Sequence, residues 1–263
     1  MKLPVHPLMW KHFQTVAKKY RHVRTTDLEP ILAIKKLLGA RASRPAADVA
    51  CGAGRYTRLF AQILKPKFLV AADANRAMLA ECRSYLSQFP AKTKLFFTLF
   101  LSQELPLAAG VLGYLITFNA VHHFRLPLFL AEAARVLEAG GLLFIYTRLR
   151  DQNRRTVWGE FFPGFAEKEG RLFSLGEIEK AVARTGRFAF KEIRFFKFRR
   201  RSSRRELQAQ AASRHYSTFC FYTPAAFARG LKKFNENLKA NFPDHKGILH
   251  TSENVLLVLE KTG

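Results

Sequence analysis

Two aspartates and two glycines form the most informative group of residues in the sequence. Asp48, Gly52 and Gly54 lie in the segment DVACGAG, and Asp73 follows 19 residues after Gly54. Glycines at this spacing let a backbone turn tightly and approach a ligand closely, and a helix that begins here would turn its N–H groups toward the same space. A carboxylate that ends the next strand is placed to accept both hydroxyls of a ribose. The pattern predicts a nucleotide site.

A second segment, FNAVHHF at 118–124, contains side chains that can hold or move a proton. Asn119 can hydrogen-bond a ligand's amino group, or it can simply cap the end of a strand. His122 and His123 are the candidates for a general base, because imidazole titrates near neutral pH. The alternative is that both histidines only shape the loop. Scattered His and Cys residues lack zinc-site spacing, so no metal is predicted.

The elements that must position these residues follow from hydrophobic periodicity. Seven apolar runs predict strands, at 46–51, 67–73, 93–98, 113–119, 142–147, 188–198 and 254–260. Three of the four segments between the first five strands have helical spacing, and the segment between the third and fourth strands is predicted to be a loop around Leu105-Pro106. Gly140-Gly141 predicts a turn before the fifth strand. Continuously apolar strands are typical of a sheet covered by helices on both faces. Alternation of strand and helix therefore predicts an α/β fold with a parallel, doubly wound sheet.

The same segments resemble the motifs of class I S-adenosylmethionine-dependent methyltransferases, of the methyltransferase type 11 group that includes ubiquinone and menaquinone biosynthesis enzymes. DVACGAGRYT resembles the family's first motif, and VAADANRAML at 70–79 resembles the second. SQELPL at 102–107 resembles the loop beside the adenine. FNAVHHF and the segment at 132–147 resemble the regions of the fourth and fifth strands. The resemblance covers roughly 45–147, with weaker matches at 13–28 and 158–182.

The resemblance implies S-adenosyl-L-methionine as the cofactor and a Rossmann-like, mostly parallel, seven-stranded sheet. It also implies which residues bind the cofactor: Asp48, Ala50, Cys51, Gly52, Gly54, Asp73, Ala74, Met78, Ser102, Gln103, Asn119, Tyr20 and Arg24. Tyr20 and Arg24 are four residues apart on one face of a predicted helix, and Arg24 could bind the methionine carboxylate. The alternative for these two is a packed Tyr and a surface Arg.

Three parts are expected along the chain. Residues 1–44 form a helical N-terminal cover, and residues 45–147 form the cofactor-binding core. Residues 148–263 hold the remainder of the sheet, a lid, and a helical C-terminal insert at 199–250 on the substrate side. Aromatic residues at 155–165 and 215–223 could form a lid or pocket wall, or else a second hydrophobic core.

The chain departs from the family pattern at several positions. Leu101 stands where an acid often contacts the adenine amine, and Gly113 stands where an Asp usually opens the fourth strand. Two other classes of protein remain open. A nicotinamide-dependent dehydrogenase would need a third glycine where this chain has Thr57. A methyltransferase-like protein could also bind a partner without catalysis.

The charge of the chain bears on the methyl acceptor. The sequence has 44 Lys and Arg against 20 Asp and Glu, a formal net charge of +24, with a dense run at 199–205. Basic surfaces favour anionic partners, so RNA is the alternative to a small-molecule acceptor. Phe195, Phe196 and Phe198 precede the run and could stack on bases, but they are expected to fall in a packed strand. We expect methyl transfer to a small molecule by in-line displacement.

The composition indicates what class of protein this is and in which compartment it is expected. A hydrophobic content of 48% excludes a disordered chain, and three widely spaced cysteines indicate a reducing compartment. The uncharged stretch Leu105–Phe124 contains proline, glycine, asparagine and histidine residues that a lipid-facing helix would avoid. A cytoplasmic monomer or homodimer without membrane association is therefore expected.

Overall fold

The computed structural model describes Trp10, residues 12–15, Ala17 and residues 25–90, 92–243 and 247–263. The chain divides into two compact units. Unit 1 consists of Met1–Thr147, Leu175–Arg194 and Val255–Gly263. Unit 2 consists of Arg148–Ser174 and Phe195–Asn254. The insert predicted at 199–250 thus lies in unit 2, together with 148–174.

A seven-stranded sheet organises unit 1. Its strands are β1 (Ala46–Val49), β2 (Phe68–Asp73), β3 (Lys94–Leu99), β4 (Leu112–Phe118), β5 (Leu137–Thr147), β6 (Phe188–Ser202) and β7 (Ile248–Lys261). The spatial order is β3-β2-β1-β4-β5-β7-β6. The pairs among β1 to β5 are parallel, and β7 runs antiparallel to β5. The predicted Rossmann-like, mostly parallel sheet of seven strands is confirmed.

Ten α-helices have both of their ends within the described residues, and the first of them precedes β1. They are α1 (Glu29–Leu38), α2 (Arg55–Leu59), α3 (Arg76–Leu86), α4 (Leu126–Val136), α5 (Arg150–Arg154), α6 (Val157–Phe161), α7 (Phe165–Lys168), α8 (Leu175–Thr185), α9 (Arg204–Ala212) and α10 (Pro224–Asn241). Helix α2 continues as one π-helical turn and ends at Lys65, which has a positive φ of 56° and precedes Pro66. The predicted cap of α3 is confirmed, since the Asn75 side chain accepts hydrogen bonds from the N–H groups of Ala77 and Met78.

The core of the sheet is apolar on both faces. Every residue of β1 and β4 is buried, and so are Gly141–Thr147 of β5. Tyr114, Phe144 and Tyr146 are among the largest fully buried side chains. Burial of each such side chain stabilises the fold by about 1.5–3 kcal/mol. The continuously apolar strands predicted from the sequence reflect this double coverage.

The segment around Gly140 differs from the expectation of a turn that precedes the fifth strand. Strand β5 already begins at Leu137, and its register with β4 shifts between the pairs Leu112–Leu137 and Tyr114–Leu142. Gly140, with a φ of 70°, lies inside this bulge. The glycines therefore interrupt the register of a strand that has already started.

Gly113, one of the departures from the family pattern, has a steric explanation. A Cβ atom at this position would lie 2.3 Å from the Cβ of Arg44. Arg44 forms an ion pair with Glu138 across the start of β4, with 3.6 Å between their charged atoms. A side chain at residue 113 would displace this arrangement, so the departure concerns packing.

Unit 2 has its own aromatic core, formed by α6, α7, α9, α10 and the turn at Ser217–Phe221. Trp158, Phe162, Phe165, Phe219 and Phe234 are buried in it. The interpretation of the aromatic segments as a lid or pocket wall is therefore wrong for these side chains, and the alternative of a second hydrophobic core is confirmed. They are buried because each ring packs edge-on or tilted against others of the same cluster.

Both ends of the insert predicted to be helical at 199–250 are strands in the structure. Strand β6 continues to Ser202, and β7 begins at Ile248, so 199–202 and 248–250 are extended chain. The Arg run at 199–205 consequently lies partly on a strand and partly in the first turn of α9. The Ser203 side chain caps α9 in a capping box with Glu206.

Candidate active site

A cleft of about 1030 Å³, measured with its open mouth, lies where β1, β2 and β4 end. Its walls come from unit 1. They consist of Trp10, Phe13, Val49, Ala50, Cys51, Gly52, Ala53, Arg55, Tyr56, Asp73, Ala74, Asn75, Met78, Phe100, Leu101, Ser102, Phe118, Asn119, Ala120, His123 and Phe124. Open parallel sheets bind their ligands outside the carboxyl ends of the strands, and this cleft lies at that position.

Asp73 is the carboxylate that faces the cleft. Its Oδ2 accepts a hydrogen bond from the Gly52 N–H at 2.8 Å, and its Oδ1 accepts one from the Asn75 N–H at 2.7 Å. Burial raises the pKa of Asp73 to about 6, although these two hydrogen bonds oppose the rise. A carboxylate oxygen has two acceptor positions, so each oxygen keeps one for a ligand hydroxyl.

Asp48 lies beneath the cleft and is absent from its lining. It is buried, and its Oδ2 accepts a hydrogen bond from the Thr57 hydroxyl at 2.6 Å. Burial raises the pKa of Asp48 to about 7, the Thr57 hydrogen bond lowers it, and the charge of Asp73 raises it. Asp48 thus joins β1 to the first turn of α2. The structure therefore places Asp48 outside the cleft lining, and its predicted contact with the cofactor stays a prediction.

The two motif glycines occupy different positions. Gly52 has a φ of 55° and lines the cleft, together with Ala50, whose φ of 62° is unusual for a residue with a side chain. Gly54, with a φ of 81°, faces away. A Cβ on Gly54 would lie 2.6 Å from Leu86 Cδ1 and 2.8 Å from Cys82 Sγ. Gly52 permits close approach to a ligand, whereas Gly54 permits close packing of α3.

An apolar wall flanks Asp73 on one side of the cleft. Met78 and Leu101 are buried, and Phe100 and Ser102 complete this side. Leu101 stands where the family pattern often has an acid, and its side chain contributes apolar surface. Gln103, predicted to bind the cofactor, does not line the cleft.

The other end of the cleft is built by the loop after β4. Asn119 adopts a φ of 55°, and its N–H donates to the carbonyl oxygen of Tyr146 at 2.7 Å. His123 lines the cleft, while His122 does not; their ring centroids are 4.1 Å apart. The structure therefore places His123, of the two predicted candidates, where it can meet a substrate. Phe13 contacts the His123 ring edge-on at 5.4 Å.

Part of the N-terminal segment covers the cleft. Trp10 and Phe13 contribute to its walls, and Ala17 packs with Ala53 and Met78. The sequence did not single out either aromatic side chain of this segment. Tyr20 and Arg24 lie outside the described residues, so their predicted contacts stay predictions.

Two residues directly after Gly54 were also missed. Arg55 donates hydrogen bonds to the carbonyl oxygen of Thr25 and to the Thr26 hydroxyl, and Tyr56 Oη accepts one from the Asp27 N–H at 3.2 Å. Both line the cleft and hold the chain that leads from the N-terminal segment. Their partners are about 30 residues away, so no local pattern could reveal the contacts.

The described residues contain no group of three or more His, Cys, Asp or Glu that could hold a metal ion. Within that same part of the chain, no helix has both the length and the apolar character needed to cross a bilayer.

Comparisons with known proteins concern the domain that contains this site. The family model for the methyltransferase domain matches residues 47–145. An uncharacterized chloroplastic methyltransferase of Arabidopsis thaliana is 30% identical over 115 residues, which are 42% of this chain and 32% of that protein. A second from the same plant is 31% identical over 108 residues, 40% of this chain and 30% of that protein. The match thus spans about a third of these curated relatives.

Solved structures show the same fold. A proposed antibiotic-pathway methyltransferase of Anabaena variabilis aligns with a TM-score of 0.68 at 19% identity, covering 90% of this chain and 98% of that one. A proposed methyltransferase of Bacillus halodurans aligns with a TM-score of 0.63 at 18% identity, covering 88% and 99%. These likenesses show the fold that the sequence predicted. Residues 47–145 match the family model of the methyltransferase domain, in the span where the sequence resembles class I S-adenosylmethionine-dependent methyltransferases.

Proposed function

We propose that this chain transfers a methyl group from S-adenosyl-L-methionine to a small-molecule acceptor, with S-adenosylhomocysteine as the coproduct. The observation that carries the proposal is Asp73, which lines the cleft and whose two oxygens are each held by one backbone N–H group, so that each keeps one further acceptor position. A ribose diol presents two hydroxyl donors to such a carboxylate.

The residues around Asp73 suit the rest of the cofactor. Met78, Phe100 and Leu101 offer an apolar wall to a flat base next to the ribose position. Gly52 presents backbone without a side chain at the start of α2, and Asn119 presents its amide at the opposite end of the cleft. We propose that these residues hold the adenine, the ribose and the methionine part in that order.

The acceptor end of the cleft is aromatic. Phe13, Tyr56, Phe118 and Phe124 line it with His123. When bound, S-adenosylmethionine supplies a methyl group that is already activated on a sulfonium. The protein then needs to align the acceptor and exclude water, which these rings do by filling the space around it. We propose His123 as the general base for an acceptor that starts protonated, and His122 as a residue that positions its ring.

One related fold supports the choice of a small acceptor. A geranyl diphosphate methyltransferase solved with its diphosphate substrate and sinefungin aligns with a TM-score of 0.51 at 13% identity. A neighbour named as a [4+2]-cyclase aligns with a TM-score of 0.56 at 14% identity, so this fold also carries other chemistry. RNA methylation is the second candidate, because a row of exposed cations lies on β6. The cytoplasmic location and the oligomeric state stay predictions.

Cofactor binding can be tested with Asp73→Asn. This change keeps the shape of the side chain, removes its charge and replaces one of its two acceptor oxygens with an NH2 donor. One hydrogen bond from the ribose is then lost and the other no longer has a charged acceptor; since each charged hydrogen bond contributes about 1.5–3 kcal/mol, S-adenosylmethionine should bind about 100-fold or more weakly in calorimetry. Asp151→Asn is the matched control, because Asp151 is exposed on α5 in unit 2.

The dependence of S-adenosylmethionine affinity on pH gives a second test of Asp73. Since the pKa of Asp73 is about 6, affinity in the unmodified chain should fall as pH drops below 6, and affinity in Asp73→Asn should not follow this trend. Equal affinities of the two proteins at pH 7.5 would refute the cofactor assignment. Transfer of labelled methyl to small molecules, compared between the unmodified chain and His123→Gln, then tests the base.

A further inference from the structure

Two strand segments form what we call the β6–β7 ribbon: Phe195–Ser202 of β6 and Ile248–Asn254 of β7. The strands are neighbours in the sheet order, with β6 at the edge. Side-chain contacts join them along the ribbon, from Lys197 and Glu253 at 3.5 Å to Ser202 and His250 at 3.0 Å. The pairing of β5 with β7 runs from Val255 to Glu260 and does not include the ribbon. The ribbon is thus a two-stranded part of unit 2.

The residues of β6 in the ribbon alternate in exposure. Those at the four odd positions are exposed, and those at the even positions are partly buried. Since strand side chains alternate between faces, the exposed residues share one face: Phe195, Lys197, Arg199 and Arg201. Phe195 has 58% of its surface exposed, so the expectation that it packs in a strand is wrong.

The even-numbered face is occupied by its own contacts. The rings of Phe196 and Phe198 stack with centroids 6.1 Å apart and planes within 9°. The Arg200 guanidinium lies over the Phe198 ring at 4.8 Å. These contacts hold the strand with its odd-numbered side chains toward solvent. Phe196 and Phe198 lie on the opposite face of the strand and therefore do not cover the Phe195 ring.

The exposed face has an excess of positive charge. Arg199 and Arg201 form no ion pair within the part of the chain that the structure describes. Lys197 shares Glu253 with Arg155, whose guanidinium lies 2.6 Å from that carboxylate. Glu253 thus contacts two cations, Lys197 and Arg155, and no carboxylate is paired with Arg199 or Arg201 among the described residues. The chain as a whole carries a formal charge of +24, so an anionic partner meets little competing repulsion.

The geometry points to single-stranded RNA as the partner of this face. Alternate residues of a strand are roughly 7 Å apart, a spacing that lets Lys197, Arg199 and Arg201 each meet a successive phosphate of an extended strand. Phe195, at the end of the same row, offers a ring on which an unpaired base can stack. A straight row of evenly spaced cations matches the evenly spaced phosphates of a linear polyanion. A lipid surface would not require such even spacing, so the row favours the polyanion. This binding does not depend on whether RNA is the methyl acceptor.

The test is a titration of the intact chain into a fluorescent oligouridine of about 12 nucleotides, followed by anisotropy at several salt concentrations. Binding is expected at about 50 mM salt. Because each neutralised phosphate of a single strand contributes about 0.7 to the salt slope, three cations give a slope near −2. Absence of binding at about 50 mM salt would overturn the proposal.

Two variants separate the roles along the row. Arg199→Gln with Arg201→Gln should reduce the magnitude of the slope by about 1.4. Phe195→Ser should weaken binding about 5- to 150-fold without changing the slope, since loss of base stacking removes about 1–3 kcal/mol and no charge. The opposite pattern, a changed slope in Phe195→Ser, would overturn the assignment.

Arg229→Gln with Lys232→Gln is the matched control, because both residues are exposed on α10 of unit 2 and the charge change is the same. Its slope should equal that of the unmodified chain, and an equal loss in both double variants would refute a specific surface. Vesicles rich in phosphatidylglycerol complete the set. Binding to vesicles but not to the oligonucleotide would overturn the proposal in favour of a membrane. All variants should keep their S-adenosylmethionine affinity, which separates this test from the proposed function.

Discussion

Gly54→Ala tests the most specific packing statement that the structure makes about the glycine motif. Two costs combine at this position. Gly54 has a φ of 81°, in the left-handed region, and an added Cβ would meet Leu86 Cδ1 at 2.6 Å, Cys82 Sγ at 2.8 Å and Cys82 Cα at 3.2 Å. The third contact is with backbone, so rotation of side chains cannot relieve all of them.

The expected magnitude follows from these two costs. A residue with a side chain in the left-handed region loses about 1–2 kcal/mol, and insertion of a methyl group into a packed site costs about 1–3 kcal/mol. Their sum is about 2–5 kcal/mol. For a chain of this size, each 1 kcal/mol shifts the melting temperature by roughly 2–4 °C, so Gly54→Ala should lower it by about 4–20 °C.

Two other glycines provide the controls. Gly110 has a φ of 67° and no atom within 4 Å of an added Cβ, so Gly110→Ala should show only the backbone cost. Gly176, in the first turn of α8, has neither problem, and Gly176→Ala should raise the melting temperature slightly. Calorimetric melts of the three variants check the order. A Gly54→Ala protein no less stable than Gly110→Ala would refute the close packing of α3 against the motif.

Two other predictions concern stability. Burial raises the pKa of Asp48 from 3.8 to about 7, so its contribution favours the folded state at low pH and is lost as pH rises from about 4 through 7. The melting temperature of Asp48→Asn minus that of the unmodified chain should therefore increase from pH 5 to pH 8. If the two proteins showed the same dependence of melting temperature on pH, the raised pKa of Asp48 would be contradicted. Phe162→Ala should cost about 3–5 kcal/mol, because the ring is almost fully buried among Phe219 and Phe234. Phe161→Ala, at a partly buried position, should cost clearly less in the same denaturant titration, and equal costs would argue against the aromatic core of unit 2.

The cleft shows which site residues a local pattern can reveal. The strand–glycine–helix sequence predicted the positions of Gly52 and Asp73, because turn geometry and strand ends depend on residues close in the chain. The same pattern could not separate Gly52, which lines the cleft, from Gly54, which packs against α3. It also could not separate His123 from His122. Those distinctions depend on which atoms of a distant element lie opposite each residue.

Contacts between residues far apart in the chain show the limit of local patterns most clearly. Phe13 reaches His123, and the Tyr146 hydroxyl donates to Asp27 Oδ2 at 2.9 Å across 119 residues of chain. In unit 2, the aromatic segments at 155–165 and 215–223 fit either a pocket wall or a core by composition. In the structure, aromatic side chains of both segments are buried in one cluster, so they form a core.

The sequence by itself determined the order of strands and helices, the glycine turn, the carboxylate at the end of β2 and the class of domain. These features depend on periodicity and on short-range backbone preferences, which neighbouring residues specify. The tertiary structure decided which aspartate lines the cleft, which glycine packs against α3, which histidine lines the cleft and that Phe195 begins an exposed row of cations. These features depend on burial and on contacts between residues far apart in the chain, and hydrophobic packing sets both only when the whole fold forms.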